Sequence, residues 1–331
     1  LKKEEEMRSR YLLAAVVSAA FAFGNITPGA AQSYPEKPVR IIIGFSAGGG
    51  TDIYSRLLGD NLSKILDQNF IVENMPGAAT KIAAEAVARA PADGYTLFFT
   101  GATALVSNPH LYEKISYSAD DFAPISLVAT TPYTVMVGAK FPAQTFDDLI
   151  KLAKERPASI KVGSLGVGSG PYLVGKAVEQ AFGLQFVEVP YKGSADAGLD
   201  LAAGRLDVYP DGMTGSLMMH KNGNGKIVAV MDDKRSPSVP DVPSIAELGH
   251  PELALINWFA LVAPAGTPKE IIDKLNKATV EAVKMNNFSE CLLENGVIAQ
   301  SSTPEELGER IKSGSVTWRK LIESLHLKLR D

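Results

Sequence analysis

The sequence predicts an α/β protein of two lobes joined by a two-stranded hinge. Short β-branched runs alternate with helical patterns along most of the 331 residues. Such alternation marks a largely parallel sheet covered by helices on both faces. One apolar stretch, Ala123 to Gly138, is long for a single strand and carries Pro132 in its middle. Proline cannot donate a ladder bond, so the stretch reads as two half-strands that pass from one sheet to another. The chain returns near "ELALINWFALVAP", Glu252 to Pro264. Two crossings imply a discontinuous lobe, about 34–131 plus 257–331, and a second lobe, about 132–256, with a cleft between them.

Residues 1–31 stand apart from the fold. Arg8 and Arg10 precede an apolar run from Tyr11 to Phe23, and the small residues Gly29, Ala30 and Ala31 follow. This is the layout of a secretory signal peptide, with Met7 as its start and cleavage near Ala31. The apolar run is short for a membrane span of about 20 residues, so an uncleaved anchor fits less well. The segment holds four Lys/Arg and three Glu, so its removal takes the net charge from −4 to −5.

The first strand, "VRIIIGF", runs into "GFSAGGGTD" and then the amphipathic helix "TDIYSRLLGDNLSKILD". The glycines let the backbone bend and its N–H groups approach a ligand, and the first amides of the helix lack partners. Phe45, Ala47, Gly48, Gly49 and Thr51 are the candidate binding residues of this turn, with Phe45 as an apolar wall. Asp52 caps the helix or supports the loop in preference to acting as a base. The strands "NFIVEN" and "TLFFTG" flank the helix "KIAAEAVARA"; Thr103, just beyond "TLFFTG", is a further candidate, and Lys81 could meet a second carboxylate. After the hinge, "IKVGSLGVGSGPYLVGKAVEQAF" is again strand, Gly/Ser loop and helix. Ser164, Gly166, Gly168 and Ser169 are its candidate donors, and Pro171 suits a first helical turn. "FVEVPY" leads to a third such loop, where Tyr191, Gly193 and Ser194 are candidates. "VYPD" ends on Asp211, either a ligand-proximal acceptor or a turn residue. "KIVAVM" and "WFALVAP" complete the strands. In open α/β sheets ligands bind beyond the carboxyl ends of strands, where all these loops lie.

Several chemistries are disfavoured. A net charge of −4 and the lack of a Lys/Arg run with aromatics argue against nucleic acid. "GPYLVGKA" resembles a phosphate loop, but Ala177 replaces the Ser/Thr that binds magnesium, and Lys176 falls inside the helix. "GGGTD" and "GVGSG" miss the dinucleotide spacing, and no G-x-S-x-G occurs. His110, His220, His250 and His326 lack metal-ligand spacing, so neither a metal nor a cofactor is expected. The acidic pairs Asp120-Asp121, Asp147-Asp148 and Asp232-Asp233 are explained by capping and solvation. Cys291 is the single cysteine, which allows no intramolecular disulfide; it reads as a buried, inert thiol.

The segments "YPEKPVRIIIGFSAGGGTD", "VENMPGAA", "AEAVARAPADGYTLFFTG", "VGSLGVGSG", "VPYKGSADAGLDLAAGRLDV", "KRSPSVPDVPSIAELG" and "WFALVAPAGTP" resemble, in order and spacing, the tripartite tricarboxylate transporter substrate-binding receptors, the Bug family. The resemblance runs from about Tyr34 to the C-terminus. It implies a type II periplasmic-binding-protein-like fold and a monomeric receptor in the periplasm. Such a receptor closes over a carboxylate-bearing organic acid and serves membrane permease subunits or a sensor. It further implies that the loops at Gly44–Asp52 and Ser164–Ser169 grip the carboxylate through main-chain donors, with Tyr191–Ser194 and Asp211 lining the pocket. The chain departs from the family where Ala79, Thr80 and Lys81 replace a glycine-richer stretch with an Asn, at "GPYL", at the proline before Asp211, and at "KNGNGK". The competing expectation is a secreted α/β enzyme acting on a small acid. It would need a base, and His110 is the only histidine placed near the cleft.

Overall fold

A computed structural model describes residues 34–329. The signal-peptide expectation for 1–31 lies outside them. The chain divides into two units, 1–36 and 37–331, of which the second holds the whole sheet.

The strand β1 (Val39–Ile43) buries all but Arg40, as expected of a parallel strand covered on both faces. It pairs in parallel with β2 (Phe70–Asn74) and β3 (Thr96–Thr100). Between β1 and β2 runs α1 (Gly50–Leu66), which buries Tyr54, Leu58 and Leu62 on one face. Each such side chain contributes roughly 1.5–3 kcal/mol on burial. The helix α2 (Lys81–Ala88) follows, and after β3 come a π-helical turn (Thr103–Ser107) and the short α3 (Asn108–Leu111).

The stretch expected to be two half-strands is one strand of 17 residues, β4 (Phe122–Gly138). What changes midway is its partner. Phe122 to Pro132 pair antiparallel with β9 (Ile256–Pro264), whereas Tyr133 onward pairs with β7 (Val208–Gly212) and β8 (Gly225–Met231). Pro132 sits at the last β9 pair, opposite Ile256, so its missing N–H falls where one set of ladder bonds ends. The β9 strand also pairs with β3, so it belongs with β1 to β3, whereas β4 has strand partners on both sides of the switch.

On the far side, α4 (Phe146–Glu155) starts with a capping box in which Thr145 and Asp148 satisfy each other's backbone amides. The strand β5 (Lys161–Ser164) pairs in parallel with β6 (Val187–Pro190) and β7. The helices α5 (Gly170–Phe182), α6 (Ser194–Ala203) and α7 (Met213–Lys221) each begin just past the end of β5, β6 and β7. After β9, α8 (Lys269–Lys284), α9 (Asn286–Glu294), the short β10 (Ile298–Ala299) and α10 (Pro304–Ser324) complete the chain. One core gathers Ile42, Phe98, Leu105, Trp258 and Trp318; another gathers Tyr133, Val135, Phe146, Leu149 and Val228. These two centres draw on β4 before and after its change of partner, and Tyr172 and Leu173 of α5 reach into the first.

Candidate functional site

Five strand ends converge on one cavity. Its lining includes Gly50 and Thr51 at the start of α1, Thr103 at the π-helical turn, and Gly170 and Pro171 at the start of α5. Ser194 opens α6 there, and Gly212, Thr214 and Gly215 belong to the start of α7. A helix start leaves its first amides without a carbonyl one turn back, and the aligned peptide dipoles add partial positive charge. Phe45, Leu165, Trp258 and Phe259 supply apolar wall, and Thr131, Tyr133 and Asn257 come from β4 and β9. Among the described lining residues there is no Lys, Arg or His. The space is about 60 Å³, above the ~10–15 Å³ that admits one water and below the ~300–1,000 Å³ of small-molecule pockets in general.

Asp52 shapes the first glycine turn. Its Oδ2 accepts the Gly48 N–H at 3.0 Å, and its Oδ1 accepts Arg56 Nε at 2.9 Å and Asn74 Nδ2 at 3.0 Å. Asn74 also donates to the Phe45 carbonyl at 3.0 Å. Gly48, at φ 88°, takes a conformation that costs a residue with a Cβ. Burial pushes the Asp52 carboxyl upward, but the bonds from Arg56, Gly48 and Asn74 and the Arg56 charge outweigh it and hold it below the usual range. Asp52 is thus an ionised loop support set behind the turn.

The second Gly/Ser loop uses its donors on itself. Leu165 N–H donates to Ser169 Oγ, Gly166 N–H to Ser164 Oγ, and Ser169 N–H to the Gly166 carbonyl. The Ser164 hydroxyl donates to Glu188 at 2.7 Å. The Ser164 hydroxyl and the Gly166 amide, expected to be free donors, are therefore spent in this conformation, while the Ser169 hydroxyl accepts from the Leu165 and Tyr172 amides; a loop held between a strand and a helix satisfies its own polar groups first. Gly168 faces the other lobe: Ser107 Oγ donates to its carbonyl at 2.6 Å, and a Cβ on it would overlap Leu111.

The third loop also crosses the cleft. Ser46 N–H donates to the Lys192 carbonyl at 3.3 Å, and Gly49 lies against Ser194. Gly193 has no room for a Cβ beside Ser46, and Gly48 faces Ala195. Tyr54 and Thr214 share a hydrogen bond of 2.7 Å between their hydroxyls. Tyr191 turns away: its hydroxyl donates to Asp200 at 2.8 Å, and it lines a second cavity of about 340 Å³ with Gly166. That cavity shares Phe45 and Leu165 with the first.

Asp211 lies in the first cavity and is 6% exposed. Ser194 Oγ donates to its Oδ1 at 3.0 Å. Burial pushes the carboxyl up to about 7, against the opposing bonds from the Gly212 N–H, Ser194 and Tyr209.

Phe45, Thr51, Thr103, Ser194 and Asp211 are the sequence candidates that share this cavity. Thr100, Gly101, Tyr133, Thr214, Asn257 and Trp258 join them. The end of "TLFFTG" and the hinge segments carried a signal for some of these, since both mark strand ends or crossings. His110 is elsewhere: its Nε2 lies 2.6 Å from Ser315 Oγ on α10, and burial, then Arg319, lower its pKa. Lys81 stacks over the Tyr112 ring, and Lys176 pairs with Glu179. Cys291 is half-buried rather than buried, because α9 packs only one face there; desolvation raises its thiol pKa. Asp121 and Asp148 serve in capping boxes. No group of three or more His, Cys, Asp or Glu with metal-binding geometry occurs among the described residues.

Residues 54–327 match the family model described as "Tripartite tricarboxylate transporter family receptor". The chain is 31% identical to the periplasmic binding protein BugD, over 90% of this chain and all of that one, with a TM-score of 0.87. It is 30% identical to R. palustris Rpa4515 with adipate (89% and 99% covered, TM-score 0.86). It is 27% identical to MatC from Rhodopseudomonas palustris with bound malate (87% and 100%, TM-score 0.84). With a Polaromonas solute-binding protein described as holding no ligand, it shares 28% identity over 88% and 99%, yet the TM-score is 0.64.

Proposed function

The chain belongs to the tripartite tricarboxylate transporter receptor family, and from that premise we propose that it captures a small organic acid carrying one or two carboxylates between its lobes. It is a receptor and not an enzyme. The observation that carries the ligand class is the convergence of helix starts on one cavity with no basic side chain in its lining. Oriented amides and dipoles supply the positive end there, and the hydroxyls of Thr51, Thr103 and Thr214 add short-range donors.

A charge-assisted hydrogen bond contributes roughly 1.5–3 kcal/mol, so four or five give on the order of 6–15 kcal/mol before ordering costs. Lost rigid-body freedom takes several kcal/mol back, which leaves a Kd near micromolar, about −8 kcal/mol. The lobes, 34–131 plus 257–331 and 132–256, move as bodies about β4 and β9. The change of β4 partner at Pro132 and Tyr133 supports that division. So does the greater likeness to the adipate and malate complexes than to the ligand-free structure. The protein acts in the periplasm, exported by the segment 1–31, as a monomer that hands its acid to permease subunits or a sensor.

Thermal-shift titration of the purified protein tests the ligand class. Adipate, malate and succinate should raise the melting temperature, while sugars and simple cations should not. Stabilisation by sugars or cations with none by any acid would end this reading.

A further inference from the structure

Asp211 poses an electrostatic problem for the receptor. It is the one carboxyl in a cavity walled by helix starts, and no cation shares the lining among the described residues. The groups facing it are few. Tyr209 lies on its own strand, Tyr133 comes from β4, Ser194 from α6, and Gly212, Thr214 and Gly215 from the start of α7. Both phenols are pushed far above the neutral range by burial and then by Asp211 itself, so neither exchanges a proton near pH 7. The missing Cβ of Gly215 makes room for Oδ2, which a side chain there would overlap. Tyr54 of α1 reaches Thr214 instead.

An organic anion that enters this cavity meets a second carboxyl in a dry setting. Two like charges in such a setting cannot both ionise cheaply. We propose that Asp211 takes up one proton from solvent as the anion binds, and that its O–H then donates a hydrogen bond to the ligand. No covalent bond changes; one proton moves from solvent to an Asp211 oxygen. Asp211 is thereby a specificity-determining residue: it favours ligands with an acceptor facing it, and it makes affinity depend on pH near neutrality. Because burial already raises its pKa to about 7, Asp211 is largely protonated below that pH and needs little uptake there, and the uptake grows toward one proton above it.

The inference rests on the carboxylate reading above. Its test is calorimetric titration with adipate and with malate between pH 6 and 9, in two buffers of different ionisation heat. Ligand carboxyls titrate well below neutrality, so they are ionised at pH 8, where the uptake is read. The expected result is an uptake approaching one proton at pH 8 and a Kd that weakens up to tenfold per pH unit above about 7. Asp211→Asn keeps a neutral donor, so it should flatten the profile and bind more tightly than wild type at pH 8.5. Proton counting on the wild-type protein decides the matter by itself if that variant fails to fold. Binding with no buffer-dependent heat, or an Asp211→Asn profile with the wild-type slope, overturns the proposal and leaves the carboxylate reading intact. Failure of both acids to bind at pH 6 removes that reading and this proposal with it.

Discussion

Asp52 and Asp211 are both acidic residues beside a helix start, yet their surroundings give them opposite behaviour. Asp52 collects donors from Arg56, Gly48 and Asn74 and is held below the usual carboxylate range. Its contribution is present above about pH 4 and is lost as pH falls through its depressed pKa. Asp52→Ala should free the Gly48 amide and cost about 1–2 kcal/mol of acid binding, roughly 5–30-fold in Kd by calorimetry. Asp211 is raised to about 7, so the sign reverses. Its protonated form is accommodated below about pH 4, and stability falls as pH rises from there through 7. Asp211→Asn should therefore raise the melting temperature much more at pH 8 than at pH 4.5. The difference can reach on the order of 4 kcal/mol, at about 1.36 kcal/mol for each pH unit between about 4 and 7. Equal gains at both pH values would contradict this. The loop-support role of Asp52 was legible from its place after three glycines. The separation of the two carboxyls was not, because it depends on neighbours 22 residues away in one case (Asn74) and 17 in the other (Ser194).

Between β2 and α2 the chain holds three successive residues with positive φ: Ala78 at 45°, Ala79 at 46° and Thr80 at 72°. The left-handed region costs a residue with a Cβ roughly 1–2 kcal/mol. The sequence signalled the oddity, since this is where the chain departs from a glycine-richer family pattern, but only the dihedral angles show what the departure costs. Ala78 is exposed and Ala79 is buried against Gly166. Ala78→Gly should thus stabilise the protein by about 0.5–1 kcal/mol after glycine's entropy in the unfolded chain is subtracted. At Ala79 the lost buried methyl, about 0.8 kcal/mol, should cancel most of the gain. Urea midpoints of the two variants check the contrast. The strand β4 teaches a related lesson. Its length and its proline were visible in the sequence, but continuity through Pro132 follows from a change of partner that local composition does not encode.

At the scale of the molecule, bonds between Ser46 and Lys192, Ser107 and Gly168, and Tyr54 and Thr214 join the two lobes across the cleft. Adding adipate or another acid that binds should lower the radius of gyration in solution scattering. Gly168→Ala places a methyl against Leu111 of the opposite lobe and at φ 86°. It should weaken acid binding at least tenfold while leaving each lobe folded, and it should enlarge the radius measured with ligand present. Unchanged affinity and radius in that variant would show that this contact is not part of closure.

The sequence by itself determined the α/β class, the glycine-rich turns and the family, because these are carried by local periodicity, turn chemistry and motifs in fixed order. Tertiary structure alone decided which turns spend their amides internally, where Tyr191 and His110 point, and that Asp211 is buried among helix starts. The reason is physical: a hydrogen bond or a desolvated charge is set by partners the fold brings together from distant positions, and no short stretch of chain contains both sides of that interaction.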